Sequence, residues 1–176
     1  MFAPTLRDIA DCSKFVAAAI ESIPGEGRLA LDIPSGEGRH SRFLASRGFL
    51  VVAADLDLKA LLRGVSASRG PNPSKIVPVR LDATKPLPFP PATFDLVLVV
   101  HLQMDFVLRQ VDSVLKKDGF LVLETFGAQG ENWRGLPRVN ELRSQLEKVF
   151  HLSQYRERVV GKAPDRVTVK AVGRKM

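Results

Sequence analysis

The sequence predicts one α/β domain: a doubly wound, mostly parallel sheet of about seven strands, with helices on both faces and a closing antiparallel hairpin. Three observations predict it. Short apolar strands alternate with segments of helical spacing through residues 29–126. The strand 94–100 (FDLVLVV) is almost continuously apolar, as strands buried on both faces are. The last two segments, 151–159 and 166–173, alternate apolar and polar residues, which marks strands with one polar face.

The elements follow in order. Residues 6–23 place Ile9, Phe15, Val16, Ala19, Ile20 and Ile23 at helical spacing, and Pro24-Gly25 with Gly27 stop that helix. Residues 29–33 form the first strand. A helix continues over 41–46 until Gly48 closes it. Residues 49–54 are the second strand, and 58–65 a helix with Asp57 as its N-cap. Gly70-Pro71-Asn72-Pro73 turns the chain into a third strand, 76–81. The prolines of 86–91 exclude helix and sheet interior alike. The fourth strand, 94–100, leads to a helix over 104–115. Asp118-Gly119 turns the chain into a fifth strand, 120–125. A polar, glycine-rich loop covers 127–137. Val139, Leu142, Leu146 and Phe150 mark a last helix. The hairpin strands, joined through Gly161 and Pro164, put an antiparallel strand at the sheet edge.

Composition narrows the class. The 176 residues suffice for one domain with a sizeable core, and 45% are hydrophobic. The apolar runs are too short to span a bilayer. Arg7, Asp8 and Asp11 in the first segment predict no signal peptide. Cys12, the single cysteine, excludes an internal disulfide and predicts a cytoplasmic protein. No Cys/His spacing suits a metal. The net charge of +7 is uneven, and residues 156–176 hold +5 of it. Such an edge can attract nucleic acid or an anionic substrate. It also protects a solvated edge strand from pairing, and the lack of interleaved aromatic residues favours that role.

The run LALDIPSGEGRH at 29–40 carries the chemistry. An apolar strand ends in Asp32, a turn with Gly36 and Gly38 follows, and a helix begins. The second strand ends in another acid, Asp55. An acid about twenty residues after a strand–glycine turn–helix unit marks a nucleotide site. A dinucleotide fingerprint would carry a third glycine where Ser41 stands. Asp32, ahead of the glycines, would repel a pyrophosphate and attract an ammonium group. S-adenosylmethionine carries an α-amino group and a sulfonium. Asp55 can accept from both ribose hydroxyls, in charge-assisted bonds worth roughly 1.5–3 kcal/mol each. Asp82, ending the third strand, can accept from an adenine amino group. Acids at three successive strand ends point into one crevice.

On these residues the chain resembles the class I S-adenosylmethionine-dependent methyltransferases, whose domain is Rossmann-like. Leu31-Asp-Ile-Pro-Ser-Gly-Glu-Gly38 resembles the family's first motif, Asp55 its second-strand acid and Asp82-Ala83 its adenine-side motif. Residues 88–97 resemble the fourth-strand motif, and residues 115–126 the fifth-strand region. Gly38-Arg-His40, Leu44-Ala-Ser-Arg-Gly48 and Glu124-Thr-Phe126 are similar to the small tellurite-resistance-type bacterial methyltransferases. The resemblance implies one domain over 1–176: an N-terminal helix (1–24), a cofactor-binding core (28–126) and a C-terminal helix and hairpin (138–176).

It also implies S-adenosylmethionine as cofactor and a small-molecule or oxyanion acceptor. The cofactor residues would be Asp32, Pro34, Gly36, Gly38, Arg39, Asp55, Leu56, Asp82, Ala83 and His101. Pro34 departs from the family's first glycine and offers no N–H. Arg39 can meet the cofactor carboxylate or an anionic substrate, and Leu56 can pack on the adenine. His101, just past the fourth strand, is the candidate general base. Glu124 and Trp133 are candidates for the substrate pocket. Two rival functions remain: an inactive cofactor-fold protein that binds RNA or a protein through the basic hairpin, and a nicotinamide-dependent oxidoreductase.

Overall fold

The computed structural model describes residues 12–67, 75–102, 107–128, 136–159 and 166–176. The beginning of the first helix, the turn at 70–73, the start of the helix predicted from residue 104, Trp133 and the Gly161–Pro164 connection lie outside them. The described chain runs α1 (Lys14–Glu21), β1 (Leu29–Asp32), α2 (Arg39–Ser46), β2 (Leu50–Asp55), α3 (Leu58–Ala67), β3 (Ile76–Arg80), β4 (Phe94–Val100), α4 (Val107–Val114), β5 (Leu115–Ala128), α5 (Glu141–Leu146), β6 (Phe150–Val159) and β7 (Arg166–Lys175).

The strands form one seven-stranded sheet in the order β3-β2-β1-β4-β5-β7-β6. The pairs from β3 to β5 are parallel, and β7 runs antiparallel to both its neighbours. The antiparallel strand expected at the edge is therefore interior, and β6 is the edge. Side-chain burial explains the exchange. Val167, Val169, Ala171 and Val172 of β7 are buried, whereas β6 exposes Gln154, Arg156 and Arg158. A charged strand is tolerated at an edge and an apolar one is not.

β4 alternates between two apolar layers. Phe94, Val97 and Val99 join the layer of Val111 and Val114 from α4 and Leu142 and Leu146 from α5. Leu96, Leu98 and Val100 join the layer of Val16 and Ile20 from α1 and Phe43 and Leu44 from α2. Burial on both faces is why its sequence lacks a polar alternation. The polar exception, Asp95, is only part-buried. Its Oδ2 accepts from the Leu29 N–H at 3.0 Å and from Lys116 Nζ at 2.9 Å, which ties β4 to the start of β1 on one side and to Lys116 of β5 on the other.

β5 begins earlier than its sequence suggests. Leu115 already faces Phe94, and the register then jumps so that Phe120 faces Leu96. Asp118, at φ 63°, and Gly119 form the tight excursion between these pairs.

Successive connections leave β1 toward β2 on one side and β4 toward β5 on the other. The order reverses between β1 and β4, and a crevice opens there at the carboxyl ends of the strands. α3 packs hard against one wall of it. A Cβ at Gly64 would stand 2.6 Å from the Glu37 carbonyl oxygen in the β1–α2 turn. Helix propensity alone predicts that Gly64→Ala stabilises the chain by up to about 1 kcal/mol. The contact with Glu37 reverses the sign: Gly64→Ala is expected to destabilise by about 1–3 kcal/mol, as overpacking does. Urea unfolding of the two proteins decides between the signs.

Candidate active site

The turn after β1 is tied to the sheet by backbone bonds. The Ile33 N–H donates to the Leu98 carbonyl and the Ser35 N–H to the Ala54 carbonyl, both at 2.9 Å. Gly36 and Gly38 adopt φ 54° and 69°, conformations that cost other residues energy. Gly38 is also the N-cap residue of α2. The Gly36 N–H donates to Asp55 Oδ2 at 2.7 Å, and Asp55 Oδ1 accepts from the Asp57 N–H at 2.9 Å. Asp57 caps α3, accepting from the N–H groups of Lys59 and Ala60.

A cavity of about 470 Å³ lies over this turn, within the roughly 300–1,000 Å³ of small-molecule sites. Its walls are residues 34–37 of the turn, Arg39, His40 and Arg42 of α2, Asp55, and Val100 with His101 beyond β4. The structure thus brings Pro34, Gly36, Arg39, Asp55 and His101 together, from three separate stretches of sequence. Pro34, reached through a cis peptide bond, is part of this wall.

Asp32 sits behind the wall rather than in it. It is fully buried, and its Oδ2 accepts from Ser41 Oγ at 2.5 Å. Burial pushes its carboxyl up to about 7, and the bonds from Ser41 only reduce that effect. Among the described residues its Oδ1 has no partner, and neither does the buried Ser35 Oγ.

The remaining candidates lie elsewhere. Asp82 is half-buried outside the cavity wall, and its Oδ1 accepts from the Thr84 N–H at 2.9 Å and Thr84 Oγ1 at 2.6 Å. Those bonds hold its carboxyl below the ordinary value. Leu56 is 57% exposed and outside the cavity wall. Ala83 packs against the core. Glu124 accepts from Ser13 Oγ at 2.5 Å and from Lys170 Nζ at 2.9 Å. Burial pushes its carboxyl up, but the Ser13 and Lys170 bonds carry it below the ordinary value. Trp133 lies outside the described residues.

His40, Ser13 and Phe126 were not predicted as site residues. His40 is buried in the first turn of α2, and its Nε2 accepts from the Ser13 N–H at 3.4 Å. Burial, aided by the Arg39 charge, lowers it to about 4, so the ring is neutral at pH 7. Phe126 stacks on His101, with ring centroids 5.0 Å apart and planes 13° from parallel. His101 itself has φ 61° and donates its backbone N–H to the Glu124 carbonyl at 2.8 Å. No local sequence signal points to this group; Ser41, standing where a dinucleotide fingerprint would carry its third glycine, bonds Asp32 instead.

Residues 30–119, more than half of the chain, match the methyltransferase domain family. The chain belongs to that family. No relative is found among the curated proteins. Solved structures share the methyltransferase fold at low identity. The [4+2]-cyclase SpnF is 16% identical with a TM-score of 0.77, the match covering 94% of this chain and 80% of that one. A geranyl diphosphate methyltransferase in complex with S-adenosylmethionine is 11% identical with a TM-score of 0.75, covering 97% and 86%. TehB from Haemophilus influenzae is 15% identical with a TM-score of 0.72, covering 94% and 63%. At these identities the likeness is one of fold.

The methyltransferase turn of this chain fits a cationic, hydroxylated ligand. Asp32 Oδ1 and Ser35 Oγ are buried and unpartnered there, and a Cβ at Gly36 would meet nothing within 4 Å. The buried acid also gives the unliganded protein a pH signature. Its folded value, about 7, lies above the ordinary 3.8. The folded state therefore binds the extra proton, and stability is lost as pH rises between about 4 and 7. Asp32→Asn removes this dependence. The difference in unfolding free energy between Asp32→Asn and the parent should move in favour of the variant from pH 5 to pH 8; a constant difference across that range refutes the assignment.

Proposed function

We propose that this chain is an S-adenosylmethionine-dependent methyltransferase that methylates a small molecule or an oxyanion by in-line transfer. The observation that carries this reading is the convergence of the glycine turn, Asp55 and Arg39 on one cavity at the point where strand order reverses. The cofactor is S-adenosylmethionine, which supplies a methyl group on a sulfonium when bound. Asp55 holds the ribose hydroxyls: each of its oxygens keeps lone pairs beyond the one used by Gly36 or Asp57. Asp32 Oδ1 answers the ammonium group, directly or through a water, and Arg39 the carboxylate. Asp82 and Leu56 lie at the adenine end.

His101 is exposed beside Val100, where it positions the acceptor or takes its proton. An acceptor that is already anionic needs no base, and positioning alone lowers a barrier by about 7–11 kcal/mol. Glu124 acts from behind the cavity, ordering Lys170 and the start of α1. The motifs shared with tellurite-resistance-type enzymes and the fold shared with TehB support a place near that subfamily. No helix among the described residues is long and apolar enough to cross a membrane; together with the single cysteine this supports a cytoplasmic enzyme.

Calorimetry tests the assignment. S-adenosylhomocysteine is expected to bind with micromolar or better affinity and NAD not to bind. Asp55→Ala should weaken S-adenosylhomocysteine by at least about tenfold, since one charge-assisted bond is worth roughly 1.5–3 kcal/mol. Binding of NAD in place of S-adenosylhomocysteine would sink the methyltransferase reading. An unchanged affinity in Asp55→Ala would sink the ribose assignment alone.

A further inference from the structure

Among the described residues, the sheet face that carries α1 is left partly bare next to the cavity. Residues directly opposed across β5, β7 and β6 share that face. One row is Glu124–Lys170–Arg156, and the next, nearer the cavity end, is Phe126–Thr168–Arg158. α1 covers the inner part, where Val122 and Val172 are buried in its layer. The outer part exposes Gln154, Arg156 and Arg158. Lys170 is neutralised by Glu124 at 2.9 Å, and its Nζ stands 5.2 Å from the Phe15 ring centre. Arg156 and Arg158 have no carboxylate partner among the described residues. Glu157, between them, points to the opposite face, where it accepts from the Asn140 N–H at 3.0 Å and from the Tyr155 hydroxyl.

An aromatic wall joins these cations to the cavity. Phe126 is 43% exposed, and its ring stacks on His101, which lines the cavity. From there the second row leads across Thr168 to Arg158. Adjacent strands lie about 4.8 Å apart, so the backbones of Phe126 and Arg158 are separated by about 10 Å.

We propose that this face is the acceptor site, and that the acceptor is an amphipathic anion. Its flat apolar body rests on the Phe126–His101 wall, and its carboxylate or phosphate is held by Arg158, with Arg156 as the second cation. The placement of the acceptor rests on the methyltransferase reading; the anion site itself does not. A guanidinium fork suits either anion, because both accept two parallel N–H bonds. Edge protection alone would also explain charges on β6. That role needs no aromatic neighbour, however, and would be served equally by the far end of the same face. There His151 stands opposite Arg174, which is paired with Asp118 at 3.2 Å.

Titration of the full chain with 1-naphthyl phosphate, 1-naphthoate and 1-naphthol, followed by amide chemical shifts, tests the proposal. Both anions should bind at least tenfold more tightly than the alcohol. Arg158→Gln should abolish that preference and Arg156→Gln reduce it, while Arg174→Gln leaves it intact. Phe126→Ala should weaken all three probes alike. Equal affinities for the three probes in the parent protein would overturn the proposal. So would an Arg174→Gln effect as large as that of Arg158→Gln. Tighter binding of single-stranded oligouridylate, with a steep salt dependence shared by all three arginines, would overturn it in favour of a nucleic-acid surface. Calorimetry with S-adenosylhomocysteine on the same proteins separates the two levels. If the cofactor product binds and the anion preference is absent, only the acceptor proposal falls. If the cofactor product does not bind, the methyltransferase reading falls, and the naphthyl series still decides whether the face is an anion site.

Discussion

The carboxylate of Asp55 holds the site together. One of its oxygens accepts from the Gly36 N–H and the other from the Asp57 N–H, so the end of β2 fixes the β1–α2 turn and the entry to α3 at once. Bonds to an ionised acceptor are about twice as strong as neutral ones. Asp57 extends the arrangement by capping α3. Further along that helix, the missing side chain of Gly64 lets α3 sit against Glu37 of the same turn. The turn is thus held at Gly36 by a charge and at Glu37 by close packing. The turn's part of the cavity wall is therefore backbone held at two points, with few ways to rearrange, beside the side chains of Arg39, His40, Arg42 and Asp55.

Three acids of the sheet show what burial does when the partners differ. Burial pushes Asp95, Glu124 and Asp32 upward. At Asp95 the Leu29 N–H and Lys116 reverse the effect, and at Glu124 Ser13 and Lys170 do so. Asp32 has a hydroxyl and a backbone N–H from the same residue, Ser41, and only a minor pull from the Arg39 charge, and it stays near 7. A charge removed from water without a counter-charge is costly and tends to be neutralised by a proton. An incoming ammonium group would supply the missing counter-charge. This is why an unpartnered oxygen at the first strand end says more about the ligand than a satisfied one would.

The parts of this arrangement that were legible in the sequence are local. β4 reads as a doubly buried strand because all but one of its residues are apolar, and the turn at 34–38 reads as a ligand turn because its glycines stand between a strand and a helix. The parts that were not legible depend on pairing at long range. A two-residue alternation marks both β6 and β7 as strands and leaves open which lies inside the sheet. Asp55 and Asp82 both end strands and look alike in sequence. Asp55 reaches the N–H of Gly36, nineteen residues away, whereas Asp82 is followed by Thr84 and closes on its own turn. Ser13, His40 and Glu124 meet only because α1, α2 and β5 share one face; Ser13 and Glu124 are separated by 111 positions.

The switch point also divides the sheet electrically. On one side, β1 and β2 end in Asp32 and Asp55, and Asp82 follows the end of β3, with Arg39 and Arg42 of α2 also lining the cavity. On the other, β7 and β6 present Lys170, Arg156 and Arg158, with Glu124 of β5 at the boundary. A net charge of +7 spread evenly would attract any anion and repel a sulfonium from the whole surface. Segregated charge does something different. In the proposed arrangement Asp32 and Asp55 meet the cationic ligand, Arg158 and Arg156 meet an anionic acceptor, and the His101–Phe126 pair stands between them. Opposite fields on either side of one crevice discourage each ligand from occupying the other's half. On that proposal they would orient both reactants before any contact at the reacting atoms is made, in an enzyme whose proposed contribution to rate is chiefly orientation.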